Sequence, residues 1–460
     1  MSDFDAIVIG AGQSGPSLAV RLAQAGQRVA LIERSELGGT CVNNGCIPTK
    51  TLVASARAAW VARNAAQWGV QVEGAVKVDM RAVKARKDAI VAESRKGLND
   101  WIHSTEGLTF VAAEARFTSA NAVQVGSREL RAARFFIDCG GRPFVPNLPG
   151  LSDVPYLTNV SMMELDVLPE HLIILGGSYV GLEFAQMYRR FGSKVSVIER
   201  SGRLIAREDD EVSEAIAQLM RDDGIDVRLN TEVSAVARAA DGVSVQLRDG
   251  STLQGSHLLV AIGRVPNTDT LNLQAAGVRL DARGNIEVDS QLRSTSAPHI
   301  WALGDINGRG QFTHTSYNDF EIVAANLLDN EPRRVEDRIL IYGLFTDPPL
   351  GRVGKTEREA RERGRAYLRG VRPMSRVGRA RERGETRGFI KLLADAETKQ
   401  FLGATIFGVE GDEVVHCIAD LMYAKAPYTV LTHAVHIHPT VSELLPTVAG
   451  SMELIEPSQA

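Results

Sequence analysis

Cysteine is scarce in this chain. Four in 460 residues are too few for the disulfide framework of a secreted scaffold. Aromatic residues make up only 6%, and no apolar run approaches the ~18 residues that a membrane-spanning helix needs, so no membrane segment is expected. Charge of either sign is not in excess: the net value of −4 gives no reason to expect a nucleic-acid partner. No basic stretch precedes the apolar segment 6–10 and no cleavage-site pattern follows it. With Asp3 and Asp5 before it, this segment reads as a strand entering a core, and a cytoplasmic location is expected. The tail, 451–460, holds no cysteine. What remains is ordinary globular composition, 44% hydrophobic and 23% charged, long enough for roughly two to four domains.

Half of the cysteine is spent in one place. Gly38-Gly39-Thr40-Cys41-Val42-Asn43-Asn44-Gly45-Cys46-Ile47-Pro48-Thr49-Lys50 sets Cys41 and Cys46 five positions apart. A close pair in a cysteine-poor chain points to redox or metal chemistry. A metal would want further thiol or imidazole ligands at short spacing, and none lie near Cys41, so no metal site is expected. In a regular helix, residues five apart are ~7.5 Å apart along the axis and beyond the ~7 Å limit for a disulfide. A bonded pair therefore requires a loop or a distorted first helical turn, which Gly38, Gly39 and Gly45 permit, with Pro48 suited to a helix start. The bland alternative, two structural cysteines, leaves this glycine frame without a purpose.

Just upstream, 5–33 reads as a βαβ unit: strand 6–10, helix 17–25, strand 27–33. Gly10, Gly12 and Gly15 supply the tight turn, the close approach to a pyrophosphate and the helix–strand packing, and the helix N-terminus offers N–H groups and partial positive charge. Pro16 falls in the first turn, where its missing N–H costs nothing. Glu33, 23 positions after Gly10, suits a ribose hydroxyl. A second unit repeats the plan about 166 residues later: strand 172–175, turn Gly176-Gly177-Ser178-Tyr179-Val180-Gly181, helix 182–191, strand 194–199. Ser178 stands at the middle glycine position. Glu199 at the acidic position favours an unphosphorylated ribose and NADH, whereas Arg200 and Arg203 could meet the 2′-phosphate of NADPH; the balance leans to NADH.

Elsewhere, 50–105 predicts two long helices interrupted near 69–76, with short strands through Ile137. Segment 258–263 reads as a strand, and 300–305 as a strand ending in an acidic turn. From about Arg334 strands alternate and then give way to helices, as in a separate α+β domain. Five arginines between Arg372 and Arg383, interleaved with Glu382 and near Glu385, read as a solvated face.

These motifs, in this order over nearly the full length, resemble the FAD-dependent pyridine nucleotide–disulfide oxidoreductases of the glutathione reductase and dihydrolipoamide dehydrogenase type. The resemblance implies an α/β fold: two Rossmann-like domains, for FAD (1–147 and 265–333) and NAD(P) (148–264), plus a C-terminal α+β dimerisation domain (334–460). It implies FAD held by Gly10, Gly12, Gly15, Glu33, Gly39, Thr40, Lys50, Ala115, Gly304, Asp305 and Thr313. It implies NAD(P) held by Gly176, Tyr179, Gly181, Glu183, Glu199, Arg200 and Gly263, with Tyr179 as a lid over the nicotinamide. Cys46 would be the flavin-facing thiolate and Cys41 the exposed interchange thiol. Lys50 and Glu183 would pair beside the flavin's reactive nitrogen. His438 and Glu443 would act across a homodimer interface on the partner's thiols. Physical chemistry supports that assignment: exchange needs a thiolate, an imidazolium favours one, and a carboxylate fixes the imidazole tautomer. His433 and His436 read as packed or surface residues, Cys139 and Cys417 as small apolar ones.

Within that family, Cys46-Ile47-Pro48-Thr49-Lys50-Thr51-Leu52-Val53, Phe345-Thr346-Asp347-Pro348-Pro349-Leu350 and Arg207-Glu208-Asp209-Asp210 look closest to mercuric-reductase-like proteins and reactive-chlorine-resistance flavoproteins. The implied acceptor is a metal ion, Hg(II) or Cu(II), or a small oxidant. The missing distal cysteines weigh against efficient mercury handling, since a soft ion is best passed between thiolates. A reductase or dehydrogenase for a small disulfide or dithiol, such as glutathione or dihydrolipoamide, is the alternative. A redox sensor without turnover has no need of His438 and Glu443, and a flavin monooxygenase has no use for the thiol pair.

Overall fold

Apolar runs ending in glycine turns dictate parallel strands buried on both faces. In the computed structural model, which describes residues 2–456, Phe4–Ile9 lies inside a seven-stranded sheet. Val29–Glu33 and Arg128–Ile137 flank it in parallel, and Leu108–Ala112 and Ile300–Ala302 extend the parallel part on either side. Ala122–Val125 and Ala115–Ser119 add on as antiparallel strands. Ile7, Val8, Leu31, Phe135, Phe136 and Ile137 are fully buried in its core. Helix Gly15–Gln24 packs on this sheet, and helix Thr313–Ala324 packs on the helix.

A second sheet, wholly parallel, repeats the design. His171–Leu175 is its centre, between Lys194–Ile198 and His257–Val260, with Asp226–Arg228 and Tyr156–Leu157 outermost. Helix Tyr179–Phe191 packs against it. The chain leaves the first sheet and returns to it through a short antiparallel pair, Gly141–Pro143 with Arg264–Pro266. The last third is a six-stranded antiparallel sheet running from Ile341–Leu344 and Leu350–Gly354 through Phe401–Phe407, Phe389–Asp395 and Tyr367–Pro373 to Glu453–Ile455. Helices His416–Tyr423 and Leu445–Gly450 pack on it. The fold is therefore α/β, two Rossmann-like sheets followed by an α+β unit. Among the described residues no helix is long and apolar enough to cross a membrane.

Two long helices occupy the predicted stretch, Cys46–Asn64 and Met80–Ser104, and the break between them is wider than 69–76. Asp79 starts the second by accepting from the N–H groups of Arg81 and Ala82. The two fingerprint helices begin earlier than predicted, at Gly15 and Tyr179 rather than 17 and 182. Both helices press their last fingerprint glycine against the end of the preceding strand. A Cβ on Gly15 would lie 2.1 Å from the Gly10 carbonyl oxygen, and one on Gly181 would lie 2.1 Å from that of Gly176. The last fingerprint glycine is thus already inside the helix, pressed against the strand end.

Candidate active site

The carboxyl ends of the parallel strands gather the first fingerprint. Gly10 follows Phe4–Ile9, Glu33 ends Val29–Glu33, Asp138 follows Arg128–Ile137, and Gly304 and Asp305 follow Ile300–Ala302. This is where open α/β sheets place ligands. Asp138, which sequence reasoning missed, sits among four glycines: its Oδ2 accepts the Gly15 N–H at 2.7 Å, a Cβ on Gly12 or Gly304 would lie 2.9 or 3.1 Å from its carboxylate, and one on Gly10 would lie 2.2 Å from its backbone carbonyl oxygen. Burial pushes its carboxyl well above the usual range, ahead of the opposing Gly15 hydrogen bond. Gly39 is needed by the same crowding, since a Cβ there would lie 2.9 Å from the Gly12 Cα.

Glu33 accepts the N–H groups of Ala11 and Ser35, both at 2.8 Å. Glu199 accepts those of Gly177 and Ser201, again both at 2.8 Å. Each carboxylate is locked beneath its own fingerprint turn in the same way. Among the described residues, no protein acceptor pairs with the N–H groups of Gly12 and Gln13, and neither N-cap residue, Ser14 nor Ser178, caps its fingerprint helix with its side chain. Unpaired donors at a helix N-terminus, bordered by glycines that admit no Cβ, fit the pyrophosphate of a dinucleotide. Arg264, also missed, joins the first cradle to its far side: it reaches Thr40 Oγ1 at 3.4 Å, Asp305 Oδ2 at 3.6 Å and the Gly141 carbonyl. Ala115 is buried at the start of its strand, and Gly263 lies in a positive-φ turn with its carbonyl accepting the Phe144 N–H. Arg200 is exposed. Arg203 is tied to Asp210.

Cys41 lies in the short helix Gly39–Asn43 and Cys46 opens helix Cys46–Asn64, so the pair straddles a break at Asn44 and Gly45. The interruption brings together sulfurs that a continuous helix would hold apart. Both are thiols in this structure. Cys46 is exposed towards Thr313, whose Oγ1 lies 3.1 Å from Sγ, and Cys41 is half-buried. Thr313 stands beside Cys46, at the start of helix Thr313–Ala324. The hydrogen bond from Cys41 holds the Cys46 thiol down to about 6, helped by the Thr313 hydroxyl and the Lys50 charge and opposed by burial and Glu183. The same bond, then burial, pushes Cys41 far up. The pair is thus one thiolate and one thiol.

One turn along the thiol helix, Lys50 Nζ bonds both oxygens of Glu183, at 3.1 and 2.9 Å, and lies 4.4 Å from the centre of the Phe345 ring. The Phe345 N–H donates to Glu183 as well, at 3.0 Å. Tyr179, one turn before Glu183 on the same helix, sets its ring edge-on to Phe312 and Tyr342, at 6.4 and 5.7 Å. Helices from the two nucleotide-binding units therefore meet at the thiols.

A comparison with family models matches residues 4–319 to a pyridine nucleotide-disulphide oxidoreductase domain and residues 342–449 to that family's dimerisation domain. The chain belongs to the pyridine nucleotide-disulphide oxidoreductases. Relatives include the probable pyridine nucleotide-disulfide oxidoreductase RclA of Escherichia coli (strain K12), 36% identical over 97% of this chain and 98% of that protein. The mercuric reductase of Streptomyces lividans is 35% identical over 97% of this chain and 95% of its own. The dihydrolipoyl dehydrogenase of Chlamydia muridarum is 32% identical over 96% and 95%. A solved structure titled as the Cu(II) complex of the HOCl-induced flavoprotein disulfide reductase RclA from Escherichia coli superposes with a TM-score of 0.90 at 36% identity, covering 97% of this chain and 99% of that one. The protein is an NAD(P)H-dependent flavoprotein disulfide reductase whose cofactors are FAD and a pyridine nucleotide.

The dimerisation domain carries the last predicted pair. His438 Nδ1 bonds Glu443 Oε2 at 2.8 Å, with the His438 side chain 79% exposed. Val435 and Ile437, beside it, are 99% and 79% exposed. Apolar side chains that open are covered when two copies associate, which supports a homodimer.

Proposed function

We propose that this enzyme passes two electrons from a reduced pyridine nucleotide to the Cys41–Cys46 disulfide and from the resulting thiols to an oxidised acceptor, a metal ion such as Cu(II) or Hg(II) or a small oxidant. The observation that carries this is the asymmetric thiol pair beside Thr313 and the Lys50–Glu183 bond. Bound FAD supplies the two-electron relay between nucleotide and disulfide. Gly10, Gly12, Gly15, Gly39, Thr40, Glu33, Ala115, Gly304 and Asp305 hold it, with units 1–147 and 265–333 as its domain. Unit 148–264 binds the nucleotide through Gly176, Tyr179, Gly181, Glu199, Arg200 and Gly263, and unit 334–460 dimerises.

Cys46 is the thiolate on the Thr313 side, where a planar ring laid against Thr313 would cover it. Cys41, whose thiol keeps its proton, faces the acceptor. Lys50, oriented by Glu183, places a positive charge where negative charge gathers on reduction. His438, its tautomer set by Glu443, serves the thiols of the partner subunit as acid and base, so each site needs both copies. Re-forming the disulfide releases two electrons, enough for one Hg(II) to Hg(0) or two Cu(II) to Cu(I). The metal or oxidant reading draws on the mercuric reductases and on RclA, whose solved structure is titled as a Cu(II) complex and as HOCl-induced. The His438–Glu443 pair favours a second reading, a small organic disulfide or dithiol, because a leaving thiolate must be protonated and a metal ion need not be. NADH is the favoured donor: Glu199 is locked in its ribose position and Arg203 is engaged by Asp210, leaving Arg200 alone for a 2′-phosphate. The reading places the enzyme in the cytoplasm, where its thiols stay reduced.

Steady-state assays with Cu(II), Hg(II), glutathione disulfide and lipoamide, on wild type and Cys41→Ser, test this. Metal reduction lost in Cys41→Ser is expected; turnover of lipoamide alone would defeat the metal branch.

A further inference from the structure

Two phenols compete for one buried carboxylate oxygen beside the nicotinamide lid. Tyr179 Oη donates to Glu208 Oε1 at 3.0 Å, and Tyr342 Oη donates to the same atom at 2.5 Å. Burial, and after it the Glu208 charge, pushes both phenols well up, so both remain donors. Glu208 is fully buried. Its Oε2 has no hydrogen-bond partner among the described residues and faces Arg352 Nε at 3.5 Å, a Coulombic contact too long for a good hydrogen bond. Arg352 is 1% exposed and is held by the Ala404 carbonyl at 2.9 Å and Thr405 Oγ1 at 3.2 Å.

The carboxylate cannot follow Tyr179 if the ring moves. Glu208 precedes helix Asp210–Asp222 in the nucleotide unit, and Tyr342 and Arg352 are cross-strand partners in the six-stranded sheet. Asp209 fastens the same loop to that sheet by accepting the N–H groups of Glu357 and Arg358 at 2.9 and 3.0 Å and Lys391 Nζ at 2.6 Å. The Arg207–Asp210 segment, a mark of the branch in sequence, is thus a clamp between two units. Phe312 and Tyr342 stack with centres 5.3 Å apart and present a fixed wall to the Tyr179 ring.

We propose that Glu208 is a positioning residue that tethers Tyr179 by its hydroxyl, so that an arriving nicotinamide must break this bond to move the lid, and that Tyr342 tunes the tether by sharing the same oxygen. The idea rests on the reading of Tyr179 as the nicotinamide lid. Nicotinamide affinity is thereby set from the dimerisation unit. An oxygen serving two donors binds each more weakly than one serving a single donor, so the two phenols act in opposite directions.

The experiment is calorimetric titration of the FAD-loaded protein with NAD+, NADP+ and ADP-ribose, which lacks the nicotinamide, in wild type, Tyr179→Phe, Tyr342→Phe and the double variant, with FAD content as the check on folding. Tyr179→Phe is expected to lower the dissociation constant of the preferred nucleotide about three- to tenfold, the scale of one hydrogen bond. Tyr342→Phe is expected to raise it, and to do nothing in the Tyr179→Phe background. ADP-ribose affinity should not change. The tether is overturned if both single variants shift in the same direction, if Tyr342→Phe keeps its effect without the Tyr179 hydroxyl, or if ADP-ribose shifts as much as the full nucleotide. Wild type binding neither nucleotide is a separate result, which would sink the functional reading itself and the tether with it.

Discussion

Lys50 and Glu183, 133 positions apart in the chain, close to 2.9 Å across two helices that belong to different nucleotide-binding units. Glu183 is almost entirely buried and Lys50 about one-third exposed, so solvent screens the pair from one side only. Lys50→Met leaves a buried carboxylate without its counter-charge. With allowance for that screening, unfolding free energy should fall by about 1–2 kcal/mol. Nucleotide-dependent flavin bleaching, read by stopped flow, should slow by about tenfold or more. An unchanged bleaching rate would remove the pair from the reaction.

The thiol asymmetry gives a pH signature. With Cys46 held at about 6 and an ordinary thiol near ~8.5, the reduced enzyme keeps its Cys46 thiolate through neutral pH. The stability gained from the lowered value is complete above the ordinary thiol range and is lost as pH falls towards 6. The long-wavelength absorbance of a thiolate against the flavin should instead be lost with a midpoint near 6, where the native thiolate itself takes up its proton. Cys41→Ala removes the largest cause of the shift, so the midpoint should move upward. A midpoint that stays put in Cys41→Ala would show that Thr313 and Lys50 suffice.

Glu443 holds His438 by a single 2.8 Å bond. Glu443→Gln keeps the volume and loses the charge that fixes the imidazole. Turnover with an organic disulfide should fall by about tenfold to a hundredfold, while Cu(II) reduction should fall much less, because no leaving thiolate awaits a proton. Steady-state kinetics with the two acceptors side by side decide this; equal losses would place His438 upstream of the acceptor step.

Asp347 gathers Arg57 from the thiol helix at 2.6 Å and Arg190 from helix Tyr179–Phe191, and Arg190 also meets Asp223 at 3.2 Å. Burial alone would raise the Asp347 carboxyl, but Arg190 and then Arg57 outweigh it and hold it below the usual carboxylate range. Its contribution is therefore complete above pH ~4 and is lost as pH falls through the lowered value. Asp347→Ala, which leaves Arg190 with Asp223 and Arg57 with Glu385 as their remaining carboxylates, should cost about 2 kcal/mol, measurable as a drop in melting temperature. Asp347→Asn should flatten the acid side of the stability profile.

Both fingerprints, their acidic residues and the thiol loop were legible in the sequence because each works within a few neighbouring residues. Glycine spacing sets the turn, apolar runs set the strands, and two cysteines around Asn44 and Gly45 require a break in the helix. The helix starts at Gly15 and Tyr179 differ from the local expectation because the close packing that glycine allows at Gly15 and Gly181 is against a strand-end carbonyl, a contact that local propensity does not encode. Asp138 gave only a weak signal, an acid directly after the apolar strand end Phe135-Phe136-Ile137. Arg264 gave none. Glu208 stood out as part of a branch motif, but nothing in its neighbourhood named Tyr179 or Tyr342 as its partners.

By itself, then, the sequence determined the chemistry available: a dithiol, two dinucleotide cradles and an imidazole with its carboxylate. These follow from backbone conformation and short-range hydrogen bonding, which adjacent residues encode. Only the tertiary structure decided which groups act on one another. The bond between Lys50 and Glu183 and the single oxygen shared by Tyr179 and Tyr342 arise where separate units pack, and the placing of Asp138 under three fingerprint glycines and Gly304 arises where strands far apart in the chain lie side by side in one sheet. Contacts of that kind depend on how whole helices and strands lie against each other, and they leave no periodic trace along the chain.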